Sequence, residues 1–241
     1  MKIVVINPNT TVSMTAKIGE AAAKAASNGT DILAVNPSYG PPSIEGYYDE
    51  VFAIPGIIEE IRRHRDADAF IIACFDDTGL DAARCATSVP VIGIGEAGFH
   101  LVSLVAGKFG VVTTLARSVP AIEHNLVKYG LFAKCSGVRA SEVAVLDLEL
   151  PGSEACLKIS TEIGRSISED KAEAIVLGCA GMADLAHQLA EEHGLPVLDG
   201  VSCAVKLAEA LIGLGIKTSA TGGYAAPRVK AYQGDFAKFS P

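Results

Sequence analysis

Short apolar runs alternate with longer amphipathic stretches from one end of this chain to the other. The runs at Lys2–Ile6, Asp31–Val35, Ala69–Ala73, Val89–Ile92, Phe109–Thr113, Val138–Val143, Ala174–Gly178 and Pro196–Leu198 have the length and β-branched content of strands. Helical spacing of apolar positions covers Thr11–Ser27, Tyr48–Arg65, Gly79–Ala86, Gly98–Ala106, Pro120–Tyr129, Ser153–Ser168, Met182–His193 and Cys203–Leu214. Several strand runs, Phe70-Ile71-Ile72-Ala73 among them, are apolar at every position, the pattern of a sheet covered on both faces by helices. The alternation predicts a parallel α/β protein.

The pattern is also written twice. Asp68-Ala69-Phe70-Ile71-Ile72-Ala73-Cys74 is matched by Glu173-Ala174-Ile175-Val176-Leu177-Gly178-Cys179: an acid, an alanine, an apolar run, a small residue and a thiol. Val89-Pro90-Val91-Ile92 answers Leu195-Pro196-Val197-Leu198 at nearly the same spacing, and Lys2–Asn7 answers Lys108–Thr113. A repeat of this length means two copies of a domain-sized unit. The expected division is a first lobe at 1–95, completed by the C-terminal segment 200–241, and a second at 96–199. The fold class is α/β, with two pseudo-symmetric parallel-sheet lobes and a site in the cleft between them. Ligands of open parallel sheets sit beyond the carboxyl ends of the strands, which here carry Asn7, Cys74, Thr113 with Thr114, and Cys179. Two facing lobes would bring the two thiols to one cleft from opposite sides, as moving a proton between the faces of a carbon atom requires.

Composition narrows the partners. The 241 residues carry a formal charge of −8, which argues against nucleic acid or an anionic membrane surface. Arg62-Arg63-His64-Arg65, a basic cluster, closes an expected helix, where cations suit the dipole. No signal peptide or membrane-length apolar run is visible, and Asn7-Pro8-Asn9 breaks the first run after five residues. Six cysteines without a Cys-x-x-Cys pair favour free thiols in a reducing cytoplasm over zinc or disulfides.

Gly93-Ile94-Gly95-Glu96-Ala97-Gly98 spells the dinucleotide fingerprint, but it follows the fourth strand, and no Asp or Glu occurs from Phe99 to Ile122 to hold a ribose. These glycines are read as a turn between lobes. A buried structural role is the usual fate of a lone cysteine, and Cys85, Cys135, Cys156 and Cys203 keep it; Cys74 and Cys179, at equivalent positions of a duplicated unit, do not. The turns after both lead toward helices, whose N–H groups favour a thiolate. No histidine stands at a strand end, against a Ser- or Cys-His hydrolase, and no histidine pair has metal-ligand spacing.

Ile6-Asn7-Pro8-Asn9-Thr10, Gly40-Pro41-Pro42-Ser43-Ile44-Glu45, Ala73-Cys74-Phe75-Asp76-Asp77-Thr78-Gly79-Leu80, Gly110-Val111-Val112-Thr113-Thr114 and Leu177-Gly178-Cys179-Ala180-Gly181-Met182 together resemble the Asp/Glu racemase superfamily and, within it, the hydantoin and allantoin racemases, over nearly the whole chain. The resemblance implies two pseudo-symmetric lobes, no cofactor and no metal, Cys74 and Cys179 as acid and base across the substrate, and a homo-oligomer. Amino-acid racemases of the superfamily resemble Cys-Asn-Thr and Cys-Thr-His at these turns. Here Phe75-Asp76-Asp77 and Ala180-Gly181-Met182 offer no cation or amide side chain to a carboxylate, so a neutral cyclic ureide fits better. Such a small-molecule partner would lose its C5 hydrogen to one thiolate and regain one from the other thiol. Asn7, Thr113 and Thr114 are the candidates for hydrogen bonds to the ring, Ile44 and Phe75 for apolar walls, and Asp76 for a ring N–H. Ala180 and Gly181 line the second turn, and backbone N–H groups stabilise the enolate. The alternatives are an aspartate or glutamate racemase, a related maleate isomerase or decarboxylase, and a ligand-binding module without turnover.

Overall fold

The computed structural model describes residues 1–149 and 154–241. Strands β1 (Lys2–Ile6), β2 (Asp31–Val35), β3 (Ala69–Ile72) and β4 (Val91–Gly93) form one parallel sheet in the order β2-β1-β3-β4. Strands β5 (Phe109–Thr113), β6 (Cys135–Ala140), β7 (Ala174–Gly178) and β8 (Val197–Asp199) form a second in the order β6-β5-β7-β8. The second order is the first moved on by four strands, so the repeat in sequence is a repeat in topology. The helices are α1 (Val12–Ala25), α2 (Tyr47–Arg63), α3 (Leu80–Ala86), α4 (Ile94–Val102), α5 (Val119–Lys128), α6 (Ala155–Ser168), α7 (Ala186–His193) and α8 (Gly200–Gly213). Among the described residues, no helix is long and apolar enough to cross a membrane.

Side chains alternate between sheet faces, and that alternation sorts the core. Ile3, Val5, Ile71, Phe109, Val111 and Val176 point into one cluster shared by the two sheets. Val4, Ile6, Phe70 and Ile72 join Ile57 and Ile61 of α2 on the outer face of the first sheet. Val112, Ile175 and Leu177 meet Ile159 and Ile163 of α6 on the outer face of the second. Each fully buried large apolar side chain stabilises the fold by about 1.5–3 kcal/mol. The shared cluster therefore ties the two sheets into one body.

The last helix of each half crosses to the other. α4 packs against β7 and β8, α8 against β3, β4 and α1, and the two helices pack on each other. Beyond α8 the chain returns along the first sheet: the Thr218 N–H donates to the Ser88 carbonyl at 3.0 Å, and Arg62 donates to the Lys238 carbonyl at 2.9 Å.

Several boundaries differ from the sequence reading. The Gly93–Gly98 segment is not a turn between lobes: α4 begins at Ile94, four residues before the expected start. The cause lies far away in sequence. Asp77, after β3, accepts hydrogen bonds from Gly95 N–H (3.0 Å) and Glu96 N–H (2.8 Å), capping α4 from another loop. A side chain on Gly98 would put its Cβ 2.8 Å from Val176 Cγ1, so the glycine permits α4 to lie against β7. β6 runs three residues earlier than expected, as an edge strand half-buried at every position, which blurs its alternation. α6 starts at Ala155, and its expected start at Ser153 lies outside the described residues. The expected helix at Met182–His193 is a 3₁₀ segment, Ala180–Leu185, followed by α7.

Candidate active site

The register of the sheets delivers the chemistry. Ile6 pairs with Ile72, so the ends of β1 and β3 are adjacent, with Asn7 and Cys74 just beyond them. Thr113 pairs with Gly178, which places Thr114 beside Cys179 in the same way. A small cavity of about 40 Å³ lies where these ends meet, and both Cys74 and Cys179 are on its wall. Both are free thiols. The two turns are built alike: the Cys74 carbonyl accepts from Asp77 N–H at 3.0 Å and the Cys179 carbonyl from Met182 N–H at 3.1 Å. Each sulfur also meets the backbone N–H two residues on, from Asp76 and Gly181 respectively.

Those N–H groups do not produce easy thiolates, contrary to the sequence expectation. Burial pushes the Cys179 thiol up to about 11, and the Gly181 N–H only partly offsets it. Cys74 is pushed well above its ordinary value, first by burial and then by the Asp76 carboxylate, against the pull of Thr78 and the Asp76 N–H. The Thr78 hydroxyl donates to Cys74 Sγ at 3.3 Å. Loss of hydration outweighs one or two hydrogen bonds at each sulfur.

Ile44, Phe75, Asp76, Thr114 and Ala180 line the cavity, as does Asn7. Asn7 has little left to offer a ligand, because its Nδ2 donates to Asn9 Oδ1 (2.9 Å) and to Thr15 Oγ1 (3.0 Å). It holds the loop after β1 in place. Thr113 is not on the wall. Its hydroxyl donates to the Gly178 carbonyl at 3.0 Å in the interior, clamping β5 to the end of β7. Gly181 is also off the wall and acts through its N–H on the Cys179 sulfur. Phe75 is locked edge-on against Phe99, 5.3 Å between centroids.

Asn9, Met14, Ser118 and Val145 are wall residues that sequence reasoning passed over. Asn9 stood within the Asn7-Pro8-Asn9 break and is nearly fully buried; its Nδ2 meets only the weak acceptor Met14 Sδ at 3.2 Å, leaving it the better amide donor of the pair. Val145 carries no local signal. It reaches the cavity because its N–H donates to Glu45 Oε1 at 3.1 Å, joining the loop before α2 to the second half.

Residues 3–208 match the family model described as Asp/Glu/Hydantoin racemase. The chain belongs to this family. A hydantoin racemase from Pseudomonas sp. (strain NS671) is 46% identical over 99% of this chain and 97% of its own. One from Rhizobium meliloti is 47% identical over 97% and 98%. The solved structure of an allantoin racemase from Klebsiella pneumoniae, 47% identical, superposes with a TM-score of 0.97, covering 100% of this chain and 99% of that one. Among the described residues of this racemase-family chain, no histidine, lysine or arginine lines the cavity, and no cluster of three or more His, Cys, Asp or Glu is arranged for a metal ion.

Proposed function

We propose that this chain racemises hydantoin-type cyclic ureides, 5-substituted hydantoins or allantoin, by two-base proton transfer at ring C5 without a cofactor. The observation that carries the reading is the pair of free thiols at equivalent strand ends of duplicated sheets, both on one cavity. Full-length similarity to hydantoin and allantoin racemases supports the substrate class. One sulfur, as thiolate, takes the C5 hydrogen as a proton. The electron pair left on C5 delocalises into the C4 carbonyl, and the other sulfur returns its own proton to the opposite face. The first thiol is then protonated and the second ionised, so the enzyme is set for the reverse hand and the two titrations are coupled. Cys179, whose own turn carries no acid where the Cys74 turn has Asp76, is the resting base in this scheme. An aspartate or glutamate substrate fits less well, since the wall holds no cation for its carboxylates and already holds Asp76.

Cys74→Ser and Cys179→Ser test the mechanism. Racemisation should fall by about 10²–10⁴-fold in each, the usual worth of a positioned acid or base. In deuterated water each variant should still exchange C5–H of one enantiomer with retention, and the two should prefer opposite hands. Equal preference, or racemisation near the wild-type rate in both, refutes the two-base scheme. Wild-type activity should survive chelation and dialysis.

A further inference from the structure

Two acids of the site have nothing to neutralise them. The Asp76 carboxyl lies on the cavity wall and makes no hydrogen bond or ion pair with any described residue; only its backbone is engaged, the carbonyl accepting from Asn125 Nδ2 at 2.8 Å and the N–H meeting the Cys74 sulfur. Glu50, in the first turn of α2, has a buried Oε1 that is likewise without a hydrogen-bond partner among the described residues. The titratable groups bearing on Asp76 are Glu50 from α2, Asp77 next along the chain, Cys74 two residues before it, and Cys179 from the other half. None is a cation. An isolated carboxylate is costly to bury, and two like charges in one apolar site do not both ionise. A proton therefore belongs here near neutrality.

Asp77 is a different case, since its carboxyl is tied up by two N–H groups of α4 and by the Tyr129 hydroxyl at 2.8 Å. It faces away from any ligand. Burial pushes Asp76 up to about 7, with Glu50 and Asp77 adding to the effect, and burial raises Glu50 as well.

We propose that Asp76 works as a neutral carboxylic acid, kept protonated by Glu50, and that it recognises the lactam edge of a cyclic ureide. Its O–H donates to the C4 carbonyl while its C=O accepts from the adjacent ring N–H. The proposal rests on the racemase reading and deepens it. When a thiolate takes the C5 proton, charge grows on the C4 oxygen, and the Asp76 O–H hydrogen bond tightens onto it. The proton stays on Asp76, so no bond to it forms or breaks. A neutral Asp76 also removes the charge that would oppose a thiolate at either sulfur. Glu50 is a positioning residue that acts through Asp76. A linear dicarboxylate has no such N–H and C=O edge, which gives a physical reason for the cyclic substrate.

The test compares wild type, Asp76→Asn, Asp76→Ala and Glu50→Gln in racemising 5-benzylhydantoin, from about pH 5.5 to about pH 9, by optical rotation. Asp76 titration in wild type and Glu50→Gln is followed separately by carbon NMR of labelled aspartate. Asp76→Ala should lose about 10²–10³-fold, the worth of an oxyanion donor. Asp76→Asn, whose amide presents the same donor and acceptor, should lose about tenfold and should no longer show the alkaline decline that tracks Asp76 ionisation. Glu50→Gln should shift that decline, and the NMR titration of Asp76, to lower pH. Equal losses in Asp76→Asn and Asp76→Ala, activity that rises as Asp76 ionises, or an unmoved titration in Glu50→Gln would each overturn the proposal. A wild-type protein that holds the Asp76 proton but racemises no cyclic ureide overturns the functional reading, and the lactam pairing with it, while leaving the protonation established.

Discussion

The turns after β3 and β7 share their first hydrogen bonds and differ in nearly every side chain. Both place a thiol beyond a buried strand, close an i to i+3 hydrogen bond and aim the next-but-one N–H at the sulfur. After Cys74 come Phe75, Asp76, Asp77 and Thr78; after Cys179 come Ala180, Gly181 and Met182. Duplication has kept the position of the thiol and changed its surroundings. The first turn carries the polar work of the site, and it is anchored at a distance by Asp77, whose carboxyl holds the start of α4. The second turn is small and apolar, and its sulfur is deeply buried between two core clusters. A site that must treat both hands of a substrate evenly is thus built from unequal halves.

The comparison can be broken most directly by reactivity. Cys179 should alkylate faster than Cys74 at mildly alkaline pH, since the Asp76 carboxyl in the Cys74 turn disfavours a thiolate there. Peptide mass spectrometry with limiting iodoacetamide reads the ratio, and faster labelling of Cys74 would refute the assignment of Cys179 as resting base. A smaller effect comes from giving the second turn the acid of the first. Gly181→Asp should slow Cys179 labelling by roughly threefold to tenfold through like charge and narrow the gap between the thiols. No change in the ratio would mean that burial alone sets it.

The smallest effect is on stability. Asp76 is raised to about 7 from an ordinary 3.8, so the folded state binds its proton more tightly than the unfolded chain. That contribution is fully present below the unfolded pKa and is lost as pH rises through about 7. Asp76→Asn, which cannot ionise, should therefore melt a few degrees above wild type near pH 8, with the difference shrinking toward pH 5. A constant offset across that range would show that Asp76 is not strained by ionisation.

Much of this was legible in the chain. The apolar strand runs and their repetition pointed to two parallel sheets, and the thiol at the end of each copy marked two residues that line one cavity. What was illegible depended on partners distant in sequence. The glycines at 93–98 read locally as a turn and are helical because Asp77 caps them. Asn7 and Thr113 sit at strand ends as expected, yet their hydrogen-bonding groups are spent on Thr15, Asn9 and Gly178. Val145 joins the wall only through Glu45. Strand position follows from periodicity, whereas the direction and satisfaction of a polar side chain follow from what tertiary packing sets beside it.

The crossing of α4 and α8 has a consequence for how the protein is made. During synthesis the sheet of residues 1–93 emerges early, but the helix that lies on β3 and β4 is α8, which ends at Gly213. Until α8 has left the ribosome, part of that sheet's apolar face lacks its cover, in a nascent state open to aggregation. Severing the gene between its two copies would yield fragments that each lack a helix supplied by the other, and neither should fold alone, whereas co-expressed fragments should find each other through that exchange.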